Sequence, residues 1–440
     1  MSLKLYPESA VQDIASAIRA KNGLSTTYNI TEMASAISDI PTGGGNQNDV
    51  IAGLLMTSDY YLRVTSSSEY SVSNNIVYAP ASFFSSFSTL RSGAFTDVKM
   101  YSGDVYSFPN LTTVPWMTFY ISYNTIGSED VSYFNNYEMY FDNVTSVGNS
   151  AFQRNRASFI SIPKLTTLGD YVFSGCRCER FDFPLLESLP WYTFYNCSAS
   201  IISLPMCTTV GMSAFYNCYS LETVDLSRVR SIANCAFYRC YSLTSISCPS
   251  CSTIGDSAFY QCSNLSWVNF ESCTTVFSSA FYQCYMLSGI SFPLCTTVFA
   301  SGFYACHSLQ TVDLSTCSYI YTYAFSACSG LSTVNLGTCT SVGVRAFDGC
   351  THLSVVSFSS KVALNTSAFY RCYNLLSLYL YGSQVCSLTN VNVFNSTPIS
   401  TYTTSTGGVY GSIYVPASLV DSYKASTNWV TYAARITSIT

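Results

Sequence analysis

Apolar and polar positions along the chain repeat with two superimposed periods. The short one is two: Val224 and Leu226 flank Asp225, and the same apolar–polar–apolar triplet recurs as Ile246, Ser247, Cys248, then Val268, Asn269, Phe270, then Ile290, Ser291, Phe292, then Val312, Asp313, Leu314, then Val334, Asn335, Leu336. Alternation of this kind places the outer two residues on one face of a strand and the middle one in water. The long period is set by phenylalanine. Phe152, Phe173, Phe194 and Phe215 are 21 residues apart, and Phe237, Phe259, Phe281, Phe303, Phe325, Phe347 and Phe369 follow in steps of 22. Between them, Val210, Ile232, Ile254, Val276, Val298, Ile320 and Val342 supply a second apolar wall. Phe215, Cys218 and Leu221, spaced by three, read as one face of a short helical turn.

A coil of 22 residues cannot bury such a face alone, but stacked coils can, and equivalent residues then form ladders along the axis. The pattern predicts a strand-rich solenoid. Its regular coils span 151–395, and degenerate coils span 49–150, where FPNLTTVPWMTFY at 108–120 echoes FPLLESLPWYTFY at 183–195. Phe95 marks an earlier coil, and the 33-residue step from Phe119 to Phe152 implies an inserted or irregular one. Residues 396–440 read as a closing cap: a strand, Pro416 opening a helix, and a second short helix. Residues 1–41 read as a helical hairpin, with Val11, Ile14, Ala15 and Ile18 on one stripe and Met33, Ala36, Ile37 and Ile40 on the other, broken at Asn22-Gly23. The Gly-rich stretch 42–48 is a flexible linker.

The twenty cysteines follow the same period. Ten lie three residues after a ladder phenylalanine: Cys176, Cys197, Cys218, Cys240, Cys262, Cys284, Cys306, Cys328, Cys350 and Cys372. Seven lie eight residues before one: Cys207, Cys251, Cys273, Cys295, Cys317, Cys339 and Cys386. Buried cysteine acts as a small hydrophobe, and the parallel Cβ vectors of in-register coils do not suit a bridge, so free thiols in a structural ladder are expected. Cys248 takes a slot filled by Leu or Phe elsewhere. Cys178 and Cys235 fall at slots that carry Ser, Ala or Asn in other coils, and are the candidates for exposed, reactive thiols.

The unit, written VGMSAFYNCYSLETVDL at 210–226, resembles the BspA-type leucine-rich repeat, as do the prolines at strand ends: Pro163, Pro184, Pro205, Pro249 and Pro293. That resemblance implies a right-handed solenoid used for adhesion or recognition and no enzyme activity. The leading VQDIASAIRAKNG…ITEMASAISDIPTGGG and the closing YVPASLVDSYKASTNWVTYAARI resemble the end segments of tail-associated proteins from phages and prophages of gut Firmicutes. This resemblance implies a phage tail or baseplate partner docked through residues 1–41 and a glycan or protein receptor on the bacterial envelope. The alternative is a bacterial cell-surface adhesin that binds host or neighbouring-cell proteins.

Composition narrows the chemistry further. Only 10% of the 440 residues are charged, the net charge is −5, and no basic patch exists, so nucleic acid is not an expected partner. No apolar run is long enough to span a bilayer, so no membrane insertion is expected. The N-terminus lacks the apolar core of a signal peptide, which predicts synthesis in the cytoplasm before action on a particle or at the cell exterior. His307 and His352 sit at variable turn positions, no nucleophile–base set stands out, and the lone C-x-x-C at Cys248–Cys251 has no second pair, so neither catalysis, cofactor nor metal is expected. The surface candidates are aromatic. Tyr195, Tyr216, Tyr238, Tyr260, Tyr282, Tyr304 and Tyr370 each follow an inward phenylalanine and should form a partly exposed stripe, with Tyr219, Tyr241, Tyr285 and Tyr373 beside it and Trp267 on the outward strand face. Such a stripe can stack on sugar rings, serve as a protein-binding face, or merely cover the coil edges.

Overall fold

A computed structural model describes residues 61–65, 71–73, 76–80, 84–85, 87–90, 92–122, 136–400 and 410–439. The expected helical hairpin at 1–41, the linker at 42–48 and residues 49–60 lie outside the described residues. The chain forms two compact units, Met1–Leu204 and Pro205–Thr440. Both are parallel-strand β-solenoids with coils of about 22 residues.

In the second unit each coil contributes two short strands. One wall holds nine two-residue strands in register, from Thr209–Val210 through Thr253–Ile254 and Thr297–Val298 to Ser387–Leu388. The other wall comprises a three-stranded sheet, Ser245–Ser247 to Gly289–Ser291, and a six-stranded sheet that starts at Thr311–Asp313. Ile254 pairs with Val276, and Val276 with Val298, so each ladder advances by one repeat per coil. The alternation is realised as expected: Ile246 and Val268 are buried, while Ser245 and Ser247 are exposed.

A third wall closes the coil. Here the spacing of Phe215, Cys218 and Leu221 makes successive turns, with Cys218 N–H on Phe215 O (3.1 Å) and Leu221 N–H on Cys218 O (3.2 Å). No helix propagates, because Ser213 and Asn217 are left-handed (φ 54° and 59°). The same pair of left-handed positions recurs at Ser257 and Gln261 and at Ser279 and Gln283. This twist turns alternate N–H groups along the stack: Phe259 donates to Ala280 O and Gln261 to Tyr282 O, both at 2.7 Å. Backbone polar groups that must be buried are thereby paired between coils. Hydroxyls extend the same pairing at the corners, as Thr296 Oγ1 donates to Thr274 O and Thr340 Oγ1 to Ser318 O, each at 3.1 Å. That accounts for a chain rich in Ser and Thr and poor in charge.

The core is a set of stacks. Phe237, Phe259, Phe281 and Phe303 lie face to face at 5.1–5.2 Å and are buried, as are the valines and isoleucines of the opposite wall. Burial of each such side chain stabilises the coil by about 1.5–3 kcal/mol. At the C-terminal end, the strand Ser412–Val415 leads into a 3-10 turn at Ala417–Leu419, an α-helix at Val420–Ala425 and a 3-10 helix at Trp429–Arg435. A last strand, Ile436–Ser438, which the sequence pattern did not announce, pairs with Ser412–Val415. Trp429 is buried and its Nε1 donates to Cys386 O (2.6 Å), while Tyr432 packs edge-on against Phe394.

In the first unit Phe95 stacks on Phe119 at 5.1 Å, and Phe119 stacks directly on Phe152 at 5.2 Å. The strand Val105–Ser107 pairs with Glu138–Tyr140. The 33-residue step is therefore a single coil, of which residues 123–135 lie outside the described residues. Before it, Tyr61–Thr65 runs parallel to both Ile76–Pro80 and Lys99–Met100.

Candidate recognition surface

None of the twenty cysteines, all of them among the described residues, is in a disulfide. The ladder thiols have a specific task. Cys240, Cys262, Cys284, Cys306, Cys328, Cys350 and Cys372 each donate to the carbonyl of the phenylalanine in the preceding coil, at 3.0–3.2 Å. Burial pushes the thiols of Cys240, Cys284, Cys306 and Cys350 well above their ordinary value. Of the two thiols expected to be exposed, Cys178 is not and Cys235 is only partly so. Cys178 is buried, its Sγ donates to Ala157 O (3.2 Å), and burial raises its pKa strongly. Its slot lies two residues before the strand Arg180–Asp182. Cys235 is half-buried at a left-handed turn position, and burial together with the Asp256 carboxylate raises its pKa. Cys248 is buried and bonded to Val229 O. A reactive nucleophile needs the opposite environment.

The histidines sit in exposed turns two coils apart. His307 Nδ1 lies 2.9 Å from Ala327 O and its ring stacks on Tyr285, and His352 Nδ1 lies 2.6 Å from Ser329 O. Among the described residues no group of His, Cys, Asp and Glu side chains is placed to hold a metal ion.

Of the seven stripe tyrosines, the structure brings five together. Tyr216, Tyr238, Tyr260, Tyr282 and Tyr304 form a continuous stack with centroids 4.5–4.7 Å apart and ring planes within 7°. Each is partly exposed. The hydroxyls of Tyr238, Tyr260, Tyr282 and Tyr304 have no hydrogen-bond partner among the described residues. Beside the rings runs a polar rail, Arg239 Nε to Gln261 Oε1 (2.8 Å) and Gln261 Nε2 to Gln283 Oε1 (2.7 Å). The stack stops at Tyr304, since Ser326 and Asp348 fill the next two slots. Tyr370 stands apart between two guanidiniums, Arg345 and Arg371, at 5.5 and 5.1 Å from its ring. Tyr195, in the first unit, meets Tyr192 edge-on at 5.7 Å.

The spacing decides what the stack can do. A ring inserted between two others needs about 3.5 Å on each side, so roughly 7 Å of separation. Rings less than 5 Å apart admit nothing between them. Sugar stacking on the faces within this row is excluded, and what the row presents is a flat strip of ring edges and hydroxyls. Trp267 is different. It is 45% exposed, and a Cβ built on Gly289 would sit 2.8 Å from its Cδ1, so the indole lies flat across the glycine of the next coil.

Two aromatic groupings were not singled out in the sequence. Phe277, Phe299 and Tyr321 stack at 5.2 and 4.9 Å on the outside of the two-residue strands, and Tyr171 stacks on Tyr192 at 4.5 Å. Both were visible as period-matched aromatics: the first at the residue after each ladder Val or Ile, the second two residues before each ladder phenylalanine.

The model of the BspA-type leucine-rich repeat region matches residues 81–199, 187–309 and 296–408, with six copies of the repeat. Solved structures with similar folds include a leucine-rich repeat protein of Bacteroides ovatus (20% identity over 75% of this chain and 91% of that one, TM-score 0.46). A leucine-rich repeat protein of Eubacterium ventriosum is 19% identical over 68% and 84%, with a TM-score of 0.36. A leucine-rich cell surface protein of Faecalibacterium prausnitzii is 15% identical over 61% and 83%, with a TM-score of 0.28. A comparison with curated proteins finds no match. The repeat model covers most of the chain, and the coils it matches are those in which the Phe, Cys and Val ladders were traced; the protein belongs to the BspA-type leucine-rich repeat family.

Proposed function

We propose that this protein is a non-catalytic recognition and adhesion protein, carried on a phage tail or tail-like particle, that presents its solenoid to the bacterial envelope. The observation that carries the recognition reading is the tyrosine stack from Tyr216 to Tyr304, with its partly exposed rings and adjoining Arg239–Gln261–Gln283 rail. Tyrosine edges give rigid, amphipathic contact area at little entropic cost, and the flatness of the strip suits a protein or polymer lying along it. Support for the particle comes from the sequence alone: residues 1–41 and the closing YVPASLVDSYKASTNWVTYAARI resemble the end segments of tail-associated phage proteins.

Two measurements test this reading. The first is mass spectrometry of purified particles from an induced culture of the source organism. Stoichiometric recovery with tail proteins is expected, and recovery only from cell envelopes would replace the particle by a cell-surface adhesin. The second is binding of the fluorescently labelled full chain to host cells, compared with a variant carrying Tyr238→Ser, Tyr260→Ser and Tyr282→Ser. Loss of binding in a folded variant is expected, and equal binding sinks the role of the stack.

A further inference from the structure

Ring faces are unavailable inside the long tyrosine stack, but one is available in the first unit. Tyr171 and Tyr192 form a stack of only two rings. The slot that holds them carries Ser150 in the coil before, so the second face of Tyr171 has no ring on it, and Tyr171 is 37% exposed. Both tyrosines are held in the left-handed region (φ 59° and 57°), a conformation in which bulky residues are rare. Most coils of the second unit place serine there.

A cleft of about 310 Å³ opens at this pair. Tyr195 and Gly175 also line it, and its other lining groups are polar. Gln153, in the same coil as Ser150 and so on the side of the open face, brings a side-chain amide that has no hydrogen-bond partner among the described residues, while Asn196 lines the far end, one coil past Tyr171. Arg154 reaches it from the preceding coil: its stem crosses Gly175, where a Cβ would come within 3.1 Å of Arg154 Cγ, and its Nη1 donates to Tyr120 OH (3.0 Å). Gly175 is itself left-handed (φ 69°), so the close approach and the turn both need glycine. No carboxylate lines the cleft, and Asp170, next to Tyr171, is turned to the Trp191 N–H (3.1 Å).

An aromatic face bordered by an unengaged amide and a guanidinium is the chemistry that binds a sugar: C–H groups lie on the ring, a hydroxyl on the amide, and a negative substituent against the arginine. We infer that the Tyr171 cleft binds one pyranose ring carrying an anionic substituent, a carboxylate or a phosphate, within an envelope glycan. The inference rests on the reading of the protein as a recognition protein and gives that reading a ligand class.

The test is calorimetric titration of the full chain with glucuronate, glucose 6-phosphate and glucose, together with saturation-transfer NMR. Both anionic sugars are expected to bind in the millimolar range and at least about tenfold more tightly than glucose. Preference between the first two identifies the substituent. Tyr171→Ser, which installs the residue found in neighbouring coils, is expected to weaken all three by about tenfold or more, about 1.4 kcal/mol. Arg154→Gln is expected to remove the preference for charge and to leave glucose binding unchanged. Absence of binding by all three sugars, or unchanged binding in Tyr171→Ser, overturns the site. If cell binding persists while sugar binding is absent, only this site fails; if labelled protein binds no cells, the recognition reading fails with it.

Discussion

The thiol of Cys262 donates to the carbonyl oxygen of Phe237, one coil back, at 3.0 Å. That oxygen also accepts the N–H of Cys240 at 3.2 Å, so both of its lone pairs are used inside the core. A carbonyl at this depth has no water to turn to. Cysteine fits because it is small enough for a stack repeating every 4.8 Å or so and still carries a weak donor. The ladder is thus a hydrogen-bonded element as well as an apolar one.

Removal of one rung should therefore be measurable. Cys262→Ala deletes the donor and leaves a small void, at a cost of about 1–2 kcal/mol. Cys235→Ala, at a half-buried turn, should stay within about 0.5 kcal/mol of the parent. Urea titration of both variants checks the pair, and equal stability would mean that the sulfur–carbonyl contacts contribute nothing.

Thiol titration gives a pH dependence with a definite sign. Burial raises the folded-state pKa of Cys240, Cys284, Cys306 and Cys350 above the ordinary 9.0 and pushes Cys339 up to about 11. The neutral thiols favour the folded chain. Their contribution is fully present below the unfolded value near 9.0 and is lost as pH rises from there towards the folded values, because only the unfolded chain then releases protons. Stability should be flat below about pH 8 and fall above it, by an amount smaller in a Cys284→Ala variant.

In the same reagent-accessible sense, Cys235 should be the first cysteine alkylated in the native protein. Its rate should climb as pH rises past 9.0, since Asp256 and partial burial hold back the thiolate. Peptide mapping after brief iodoacetamide treatment checks this, and prior labelling of Cys178 would contradict its burial.

Two glycines separate close approach to a side chain from close approach to backbone. At Gly343 an added Cβ would lie 2.5 Å from Tyr321 C and 2.6 Å from Thr322 N, and neither atom can move without the coil. Gly343→Ala should cost about 2 kcal/mol or more. At Gly289 the obstacle is the Trp267 indole, which can swing out. Gly289→Ala should cost under about 1 kcal/mol while increasing acrylamide quenching of Trp267 fluorescence.

The cap should matter in proportion to what it covers. Trp429→Ala removes a fully buried indole and the bond to Cys386 O, with an expected cost of about 3–5 kcal/mol. Hydrogen exchange should rise first in the coils around Phe394. Uniform exchange along the second unit would show that the end does not hold the stack.

Much of this architecture could be read from spacing alone, because a solenoid converts sequence period directly into spatial neighbourhood. The strands, the inward Phe and Val walls and the seventeen in-period cysteines needed only the 22-residue alignment. What spacing could not give was conformation within the turn. The left-handed residues at Ser213 and Asn217 turn a three-residue periodicity into successive turns where one short helical turn was expected. The same blindness affected Cys178, whose slot looks polar by its neighbours' identities but is buried, while Cys235 keeps part of its expected exposure. For the surface, the row of tyrosines was legible, but its 4.5–4.7 Å spacing, which closes the ring faces, was not.

The uniform register, in which Ile254 faces Val276 and Val276 faces Val298, carries a consequence for how this gene can change. Every interface along the wall of two-residue strands from Thr209–Val210 to Ala363–Leu364 repeats the same register. A tandem duplication or loss of 22 codons there would add or remove one complete rung from each ladder and leave the cap seated on an identical surface. The length of the tyrosine strip is then a quantity that unequal recombination can adjust in whole steps, without a single new packing problem to solve.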